Sequence, residues 1–302
     1  MNVLIIGGSG FLGSEITELL KQKNINCYSA SSNNLNSDYK IDISKIGSFD
    51  KLPKNFFNII INCATILPGK DFLDKENLDN TYKTNILGTQ NICNWIKKQS
   101  SVDKIVNCST LVVNSKPWKI SITENEESYC HGNHIVYSNS KLFQELLFKT
   151  FSEKYSIDLA QVRFSALYGN KMPKVGLLWN LINEIKTTNK IKIKNSKNVS
   201  VDFLNVIDAS KIILNIINNK KALGIINGAS GVETSIYDLG NIIKNIFNNN
   251  NKPVLYNKED QNYTVDRSKV SVDKLKEIID VSKFISIDEG IKKLLDHNEI
   301  KY

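Results

Sequence analysis

The 302-residue chain predicts an α/β fold, a doubly wound parallel sheet with a smaller C-terminal lobe, and three observations carry that prediction. Apolar strand-like runs alternate with helical patterns through the first half. A glycine loop, Gly7-Gly8-Ser9-Gly10-Phe11-Leu12-Gly13, separates the first run from the first helix. After Gly169 the elements shorten and the cadence changes. Strand, helix, strand in regular succession requires right-handed crossovers, and these produce a parallel sheet covered on both faces.

Asn2–Ile6 reads as a buried strand, Phe11–Lys23 as the helix behind the loop, and Asn26–Ala30 as the second strand. Phe57–Cys63 and Lys104–Cys108 are apolar strands divided by a long helical pattern, Leu78–Lys98. His134–Tyr155 is helical and Asp158–Phe164 returns to strand, so residues 1–169 form a Rossmann-type dinucleotide-binding domain. Residues 170–302 hold the helical patterns Leu177–Lys186, Asp208–Asn218, Ser235–Phe247 and Asp288–Asp296. They read mainly as a substrate-binding lobe interleaved with the last strands of the main sheet. The asparagine runs 33–36 and 248–251 read as solvated loops or tight turns.

Composition narrows the function classes. The 41% hydrophobic content is that of an ordinary soluble protein. No apolar run approaches the roughly 20 residues that cross a bilayer, and the first strand begins at once, leaving no room for a signal peptide. The five cysteines, Cys27, Cys63, Cys93, Cys108 and Cys130, are widely spaced with no Cys-x-x-Cys pair, so reduced thiols in a cytoplasmic protein are expected. The formal charge is +8, yet the basic residues are scattered lysines rather than a stripe, which argues against nucleic acid. Only Arg163 and Arg267 break the lysine bias, and each marks a site needing a planar fork or an ordinary salt bridge.

In the glycine loop, Gly7 turns the chain out of the strand, Gly10 admits a pyrophosphate, and Gly13 lets the helix pack closely on the sheet. The helix N-terminus, with Phe11 and Leu12, then presents backbone N–H groups to the anion. The second strand ends at Ser31-Ser32 with no Asp or Glu for a ribose 2′-hydroxyl. Small hydroxyl groups there admit a 2′-phosphate, so NADP(H) is favoured over NAD(H). Far downstream, Tyr137 and Lys141 stand one helical turn apart, so an ammonium can lie near a phenol and favour its ionised form.

Taken in order, these landmarks resemble the extended short-chain dehydrogenase/reductase family, which includes nucleotide-sugar epimerases, dehydratases and reductases, and the resemblance covers nearly the whole chain. Asp42-Ile43 is similar to the family's adenine contact, Asn62-Cys63-Ala64-Thr65 to the strand end beside the cofactor, and Asn85 to an asparagine supporting the active site. Cys108-Ser109-Thr110 resembles the strand end bearing the catalytic hydroxyl. Arg163 through Tyr168-Gly169, and Val201-Asp202-Phe203 through Asp208, resemble later landmarks. The resemblance implies that Tyr137 exchanges a proton with the substrate oxygen while hydride moves to or from the nicotinamide. It implies that Lys141 lowers the tyrosine pKa and holds the nicotinamide ribose, and that Ser109 hydrogen-bonds the substrate oxygen, with Thr110 the second holder of that role. It also implies a homodimer built on a four-helix contact between Leu78–Lys98 and His134–Tyr155.

Departures from the family pattern select the chemistry. A 4,6-dehydratase carries an Asp-Glu pair after the strand-end hydroxyl, whereas Leu111 and Val112 lie there. Combined epimerase/reductases carry a cysteine at the place of Leu111. What remains is hydride transfer at one carbon: reduction of a nucleotide-linked 4-keto sugar, or 4-epimerisation with tightly bound NAD. A non-catalytic dinucleotide sensor is the third reading. Ala166 and Val201 replace residues that meet the diphosphate in relatives, which leaves a small-carbonyl reductase open. Arg267 is an alternative anion contact, Lys174 and Lys197 are further point charges, and Trp179 either stacks on a base or packs in a core. His131 and His134 precede Tyr137 and serve a substrate or a loop; no third ligand accompanies them, so no metal is expected.

Overall fold

Five residues, Asn-Val-Leu-Ile-Ile, begin the sheet, and everything else in the first half is laid against them. In chain order the elements are β1 (Asn2–Ile6), α1 (Phe11–Gln22), β2 (Asn26–Ser31), β3 (Tyr39–Lys40), β4 (Ile59–Asn62), α2 (Lys75–Thr81), a π-helical stretch (Tyr82–Leu87) and α3 (Gly88–Ile96). Then come β5 (Lys104–Thr110), α4 (Ile135–Tyr155), β6 (Asp158–Phe164), β7 (Ala166–Tyr168), α5 (Leu177–Thr188), β8 (Ile191–Ile193), β9 (Ser200–Asn205) and α6 (Val206–Asn218). The chain closes with β10 (Gly224–Gly228), β11 (Glu233–Ser235), α7 (Ile236–Ile246), β12 (Val254–Tyr256), α8 (Asp273–Lys276) and α9 (Ile287–His297). This computed structural model describes all residues except 33–36, 68–73, 115–117, 119–120, 129, 131–134, 189–190, 194–198, 248–253 and 257–265. Both asparagine runs read as loops lie outside the described residues.

The chain forms two units, the first comprising residues 1–115, 124–164 and 210–227, the second residues 116–123, 165–209 and 228–302. The first holds a seven-stranded sheet in the order β10-β6-β5-β4-β1-β2-β3. From β3 to β6 every pair is parallel. Strand order reverses between β1 and β4, the switch point at which open α/β sheets bind ligands beyond the carboxyl ends of their strands. Leu4, Ile6, Ile60 and Ile105 share one core cluster with Trp95 of α3 and Phe148 and Phe151 of α4.

Polar side chains pin the register of the central strands. Asn62 donates to the Asn107 side-chain oxygen at 3.2 Å, and Asn107 donates to that of Gln161 at 3.3 Å, an amide ladder across β4, β5 and β6. At the other end of β5 the buried Lys104 ammonium donates to the Ile216 and Asn219 carbonyls, both at 2.8 Å. Those carbonyls end α6, where the helix dipole is negative and its last acceptors lack helical partners.

The second unit contains a three-stranded sheet, β11-β9-β7, and a pair, β12-β8. Trp179, Leu239, Ile243, Leu294 and Leu295 belong to its core, so Trp179 takes the packing role of its two expected ones. The buried Asp202 carboxylate accepts from Ser165 Oγ, from Ser230 N and Oγ, and from Gly231 N, fastening β9 to the turn before β11. Burial still pushes its pKa up despite these donors.

The helix expected as one piece over 78–98 differs in detail. It starts at Lys75 because the Asp74 side chain accepts the N–H groups of Glu76 and Asn77, an N-cap the apolar pattern does not reveal. It also widens to a π-helix over Tyr82–Leu87, a distortion that often accompanies functional sites. Among the described residues no helix is long and apolar enough to cross a membrane, and no group of three His, Cys, Asp or Glu side chains could hold a metal.

Candidate active site

Crowding makes the glycine turn. Gly7 adopts φ +81°, and a Cβ there would stand 2.7 Å from the Ala64 nitrogen; one on Gly13 would stand 2.1 Å from the Gly7 carbonyl oxygen. At Gly10 the surroundings are open apart from that same carbonyl at 3.2 Å. Gly10 is the N-cap of α1, no side chain caps the helix, and its first turn contains no acid. The N–H groups of Phe11, Leu12 and Gly13 therefore have no helical acceptor, and the positive end of the helix faces no carboxylate of its own. These features fit a dinucleotide pyrophosphate.

The adenosine side departs from the sequence reading. Ser31 Oγ lies 2.7 Å from Ser37 Oγ, and Ser32 is exposed. A carboxylate does stand beside β2: Asp38 accepts from Ser29 N at 2.7 Å and from Ser29 Oγ at 2.8 Å. Ser29 is the residue whose Cβ a side chain on Gly8 would strike, at 2.7 Å. The Ser29 hydrogen bonds and the nearby Lys21 charge outweigh desolvation and hold the Asp38 carboxyl below its ordinary pKa. The end of β2 itself carries no acid, as the sequence reading had it, but Asp38 brings a carboxylate beside β2 from the segment before β3. Asp42 binds Ser44 N, Ser44 Oγ and Lys45 Nζ, while Ile43 is buried against Gly88.

At the carboxyl ends of β4 and β5 the Tyr137–Lys141 pair sits on α4. Lys141 is 1% exposed. Its ammonium donates to the Cys108 carbonyl at 2.8 Å and to Gln144 Oε1. Burial brings its pKa down to about 8, against the opposing pull of Cys108, Glu145 and Cys63. The Tyr137 phenol is pushed up to about 12 by burial, with a Thr65 hydrogen bond opposing and Cys108 adding to the rise. The i, i+4 spacing sets Tyr137 and Lys141 on one face of α4. Cys63 Sγ and Cys108 Sγ approach to 3.4 Å, and that contact together with burial drives the Cys63 thiol well up.

Asn85, in the π-helical stretch, is fully enclosed. Its amide donates to Ser140 Oγ at 2.9 Å and to the Ile66 carbonyl at 3.0 Å, and accepts from Ile66 N at 2.8 Å and Thr65 Oγ1 at 3.3 Å. Every hydrogen-bonding capacity of the amide is used. Asn85 therefore fixes the Ala64–Ile66 strand exit to α4.

The two hydroxyls at the end of β5 have different fates. Ser109 is buried and donates to Glu145 Oε1 at 2.5 Å. Glu145 is gripped by Arg163 through Nε and Nη2, the latter at 2.7 Å, while Arg163 also donates to Asn114 and Ser128. Arg163 thus spends its fork on this buried structural network. Thr110, on the opposite face of the strand, is half-buried and accepts from Val112 N at 3.3 Å. No described residue accepts the Thr110 hydroxyl proton. After it Leu111 and Val113 are buried.

Of the remaining candidates, Arg267 belongs to the second unit and forms a bidentate pair with Glu233 at 2.9 and 2.6 Å, so the carboxylate-matching edge of its fork is filled. Lys174 lies over the Trp179 ring at 5.5 Å. His131, His134 and Lys197 lie outside the described residues. Sequence reasoning missed Asp38, Gln144 and Glu145. The last was detectable, because Tyr137, Lys141 and Glu145 repeat at four-residue spacing on one helix face.

Burial of Lys141 has a pH signature. Its folded value near 8 lies below the ordinary 10.5, so the unfolded chain holds more protons between those limits. Folding stability linked to this group therefore rises with pH across that window, and the full cost of burying the ammonium is present below it. In dinucleotide-free protein, the stability of wild type relative to Lys141→Met should increase by roughly 3 kcal/mol from about pH 7 to pH 10.5 in urea unfolding. A pH-independent difference would show that the lysine titrates alike in both states.

Known proteins agree with this geometry. A model of the NAD dependent epimerase/dehydratase family matches residues 3–227. A putative UDP-glucose 4-epimerase of Methanocaldococcus jannaschii is 28% identical over 256 residues, covering 80% of this chain and 81% of the relative. The fold is similar to a UDP-glucose 4-epimerase structure from Thermotoga maritima with UDP-glucose (TM-score 0.80, 20% identity, 99% of each chain). It is also similar to a Thermus thermophilus UDP-glucose 4-epimerase in complex with NAD (TM-score 0.79, 16% identity, 99% of each chain). With three quarters of its length inside the family match and the glycine turn and Tyr137–Lys141 centre in place, the chain belongs to the NAD dependent epimerase/dehydratase family.

Proposed function

We propose that this protein is a nucleotide-sugar 4-epimerase that keeps NAD bound and moves hydride at a single sugar carbon. The observation that carries the reading is the Tyr137–Lys141 centre at the ends of β4 and β5, with aliphatic residues directly after β5 where a dehydrating acid would have to stand. A bound nicotinamide supplies the hydride acceptor and donor. Tyr137 exchanges a proton between its phenol oxygen and the sugar hydroxyl. Burial holds the phenol up at about 12, so its proton exchange would be helped by the positive charge an oxidised nicotinamide would supply when bound. Lys141 has one N–H left after Cys108 and Gln144, enough to hold a ribose hydroxyl. The name of the M. jannaschii relative and the UDP-glucose and NAD in the two solved structures support the substrate class and the cofactor.

Thr110, rather than Ser109, is assigned to the substrate oxygen, because the Ser109 proton is committed to Glu145 and no described residue accepts that of Thr110. Thr110→Val should lower kcat about 10²-fold with folding intact, the usual effect of removing one positioned donor. Ser109→Ala should act mainly on stability. The opposite pattern would return the role to Ser109.

Net reduction of a 4-keto sugar is the second reading, favoured by the exposed Ala166 and by Val201, which packs against the core of the second unit and offers no charge to a diphosphate. The retained cofactor separates the two. Asp38 supports NAD, since its carboxylate beside β2 repels a 2′-phosphate. Exposed Phe143 and Leu146 on α4, with Tyr82 and Leu87 on the π-helical stretch, support pairing of two copies through these helices. Native mass spectrometry of the purified protein should find a dimer carrying one NAD per subunit. NADP in the site, or an empty site that consumes NADPH with a 4-keto sugar, would favour the reductase.

A further inference from the structure

Gln144 is wholly buried one turn beyond Lys141, and nothing in the chemistry described so far uses it. Its Oε1 accepts from the Lys141 ammonium and its Nε2 donates to Thr89 Oγ1 at 2.8 Å. Thr89 in turn donates its only hydroxyl proton to the Asn85 carbonyl at 2.7 Å. This arrangement fixes which way the amide points. An ammonium has no lone pair and Thr89 has no second proton, so a flipped Gln144 would meet a donor with its NH₂ and an acceptor with its oxygen. Asn85 is itself immobilised by its four hydrogen bonds to Ser140, Ile66 and Thr65, and Ser140 Oγ donates to the Tyr137 backbone carbonyl at 2.7 Å.

We propose that Gln144 is a positioning residue for the reaction: it holds the Lys141 ammonium in its charged form with one N–H directed to the cofactor ribose, and ties it through Thr89 to the Asn85 framework that carries Tyr137. Lysine and tyrosine are then coupled from beneath through α3 and the π-helical stretch. The inference rests on the dinucleotide reading of the site.

The ionisable groups facing Lys141 are Cys63 at the exit of β4, Cys108 on β5 and Glu145 on α4, with Glu145 neutralised by Arg163 of β6. None of them replaces a neutral acceptor at the position of Gln144. Removing that acceptor leaves the ammonium less solvated, so Lys141 loses its proton at lower pH; a carboxylate there acts in the opposite sense.

The test is the dissociation constant of NADH across pH, read by fluorescence titration of the stripped protein, for wild type, Gln144→Met, Gln144→Glu and Thr89→Val. Wild-type binding should weaken as pH rises through the Lys141 titration. The onset should move down by about one pH unit in Gln144→Met, down by less in Thr89→Val, and up in Gln144→Glu. A residue that only fills space would not give opposite shifts. Should Gln144→Met fail to fold, Gln144→Glu and Thr89→Val still oppose one another. Unshifted profiles, or shifts all in one direction, overturn the role of Gln144. A wild type that binds no dinucleotide at any pH overturns instead the reading on which it rests.

Discussion

A lysine ammonium with almost no access to water sits at the carboxyl ends of the central strands, and the rest of the site is arranged around keeping it charged. Burial pulls its proton off, so every donor–acceptor match nearby has to favour the ionised form. The Cys108 carbonyl and the Gln144 amide oxygen do this directly. Glu145 contributes negative potential from the next turn of α4, but only as half of a pair with Arg163, which keeps the carboxylate from capturing the ammonium outright. Buried ion pairs add little net stability and are costly to break, so this one is better understood as fixing α4 against β5 and β6 than as holding the domain together.

From that constraint follows a division of labour between neighbouring residues of one strand. Alternation along β5 sends Ser109 into the Glu145–Arg163 network and Thr110 to the other face. Two hydroxyls that are chemically interchangeable in the sequence thereby differ: Ser109 donates to Glu145, and among the described residues none accepts the Thr110 proton. The same logic separates the two arginines that stand out against the lysine bias. Arg163 is wholly inside and serves four partners, Asn114, Ser128 and both oxygens of Glu145, whereas Arg267 lies partly exposed with one carboxylate.

The parallel sheet, the glycine turn and the tyrosine–lysine helix were legible because each leaves a local mark: a strand's apolar run, glycines at crowded backbone positions, or a four-residue spacing. Asn2–Ile6 and Asp158–Phe164 carry the same bounds in sequence and structure. What escaped depends on contacts between residues distant in sequence. Asp38 comes to lie against Ser29 only because β3 folds back beside β2, so an inspection that stopped at the end of the second strand found no acid. Gln144 looks like an ordinary polar residue on a long helix until Thr89, 55 positions earlier, is seen to accept from its amide. The π-helical widening that brings Asn85 inward leaves no periodicity signal at all. Arg267 stands out in the sequence as an unusual residue, and the structure pairs its fork with Glu233.

The central claim is that Tyr137 and its buried lysine drive reversible hydride transfer at one carbon of a nucleotide-linked sugar. The most direct measurement is the ultraviolet absorbance of reduced nicotinamide on rapid mixing of the NAD-loaded protein with a panel of nucleotide hexoses, using wild type and Tyr137→Phe. The account predicts transient reduction by at least one member of the panel, slowed by deuterium at the sugar C4, and nearly abolished in the variant although its NAD remains bound. Reduction in Tyr137→Phe at the wild-type rate would contradict it.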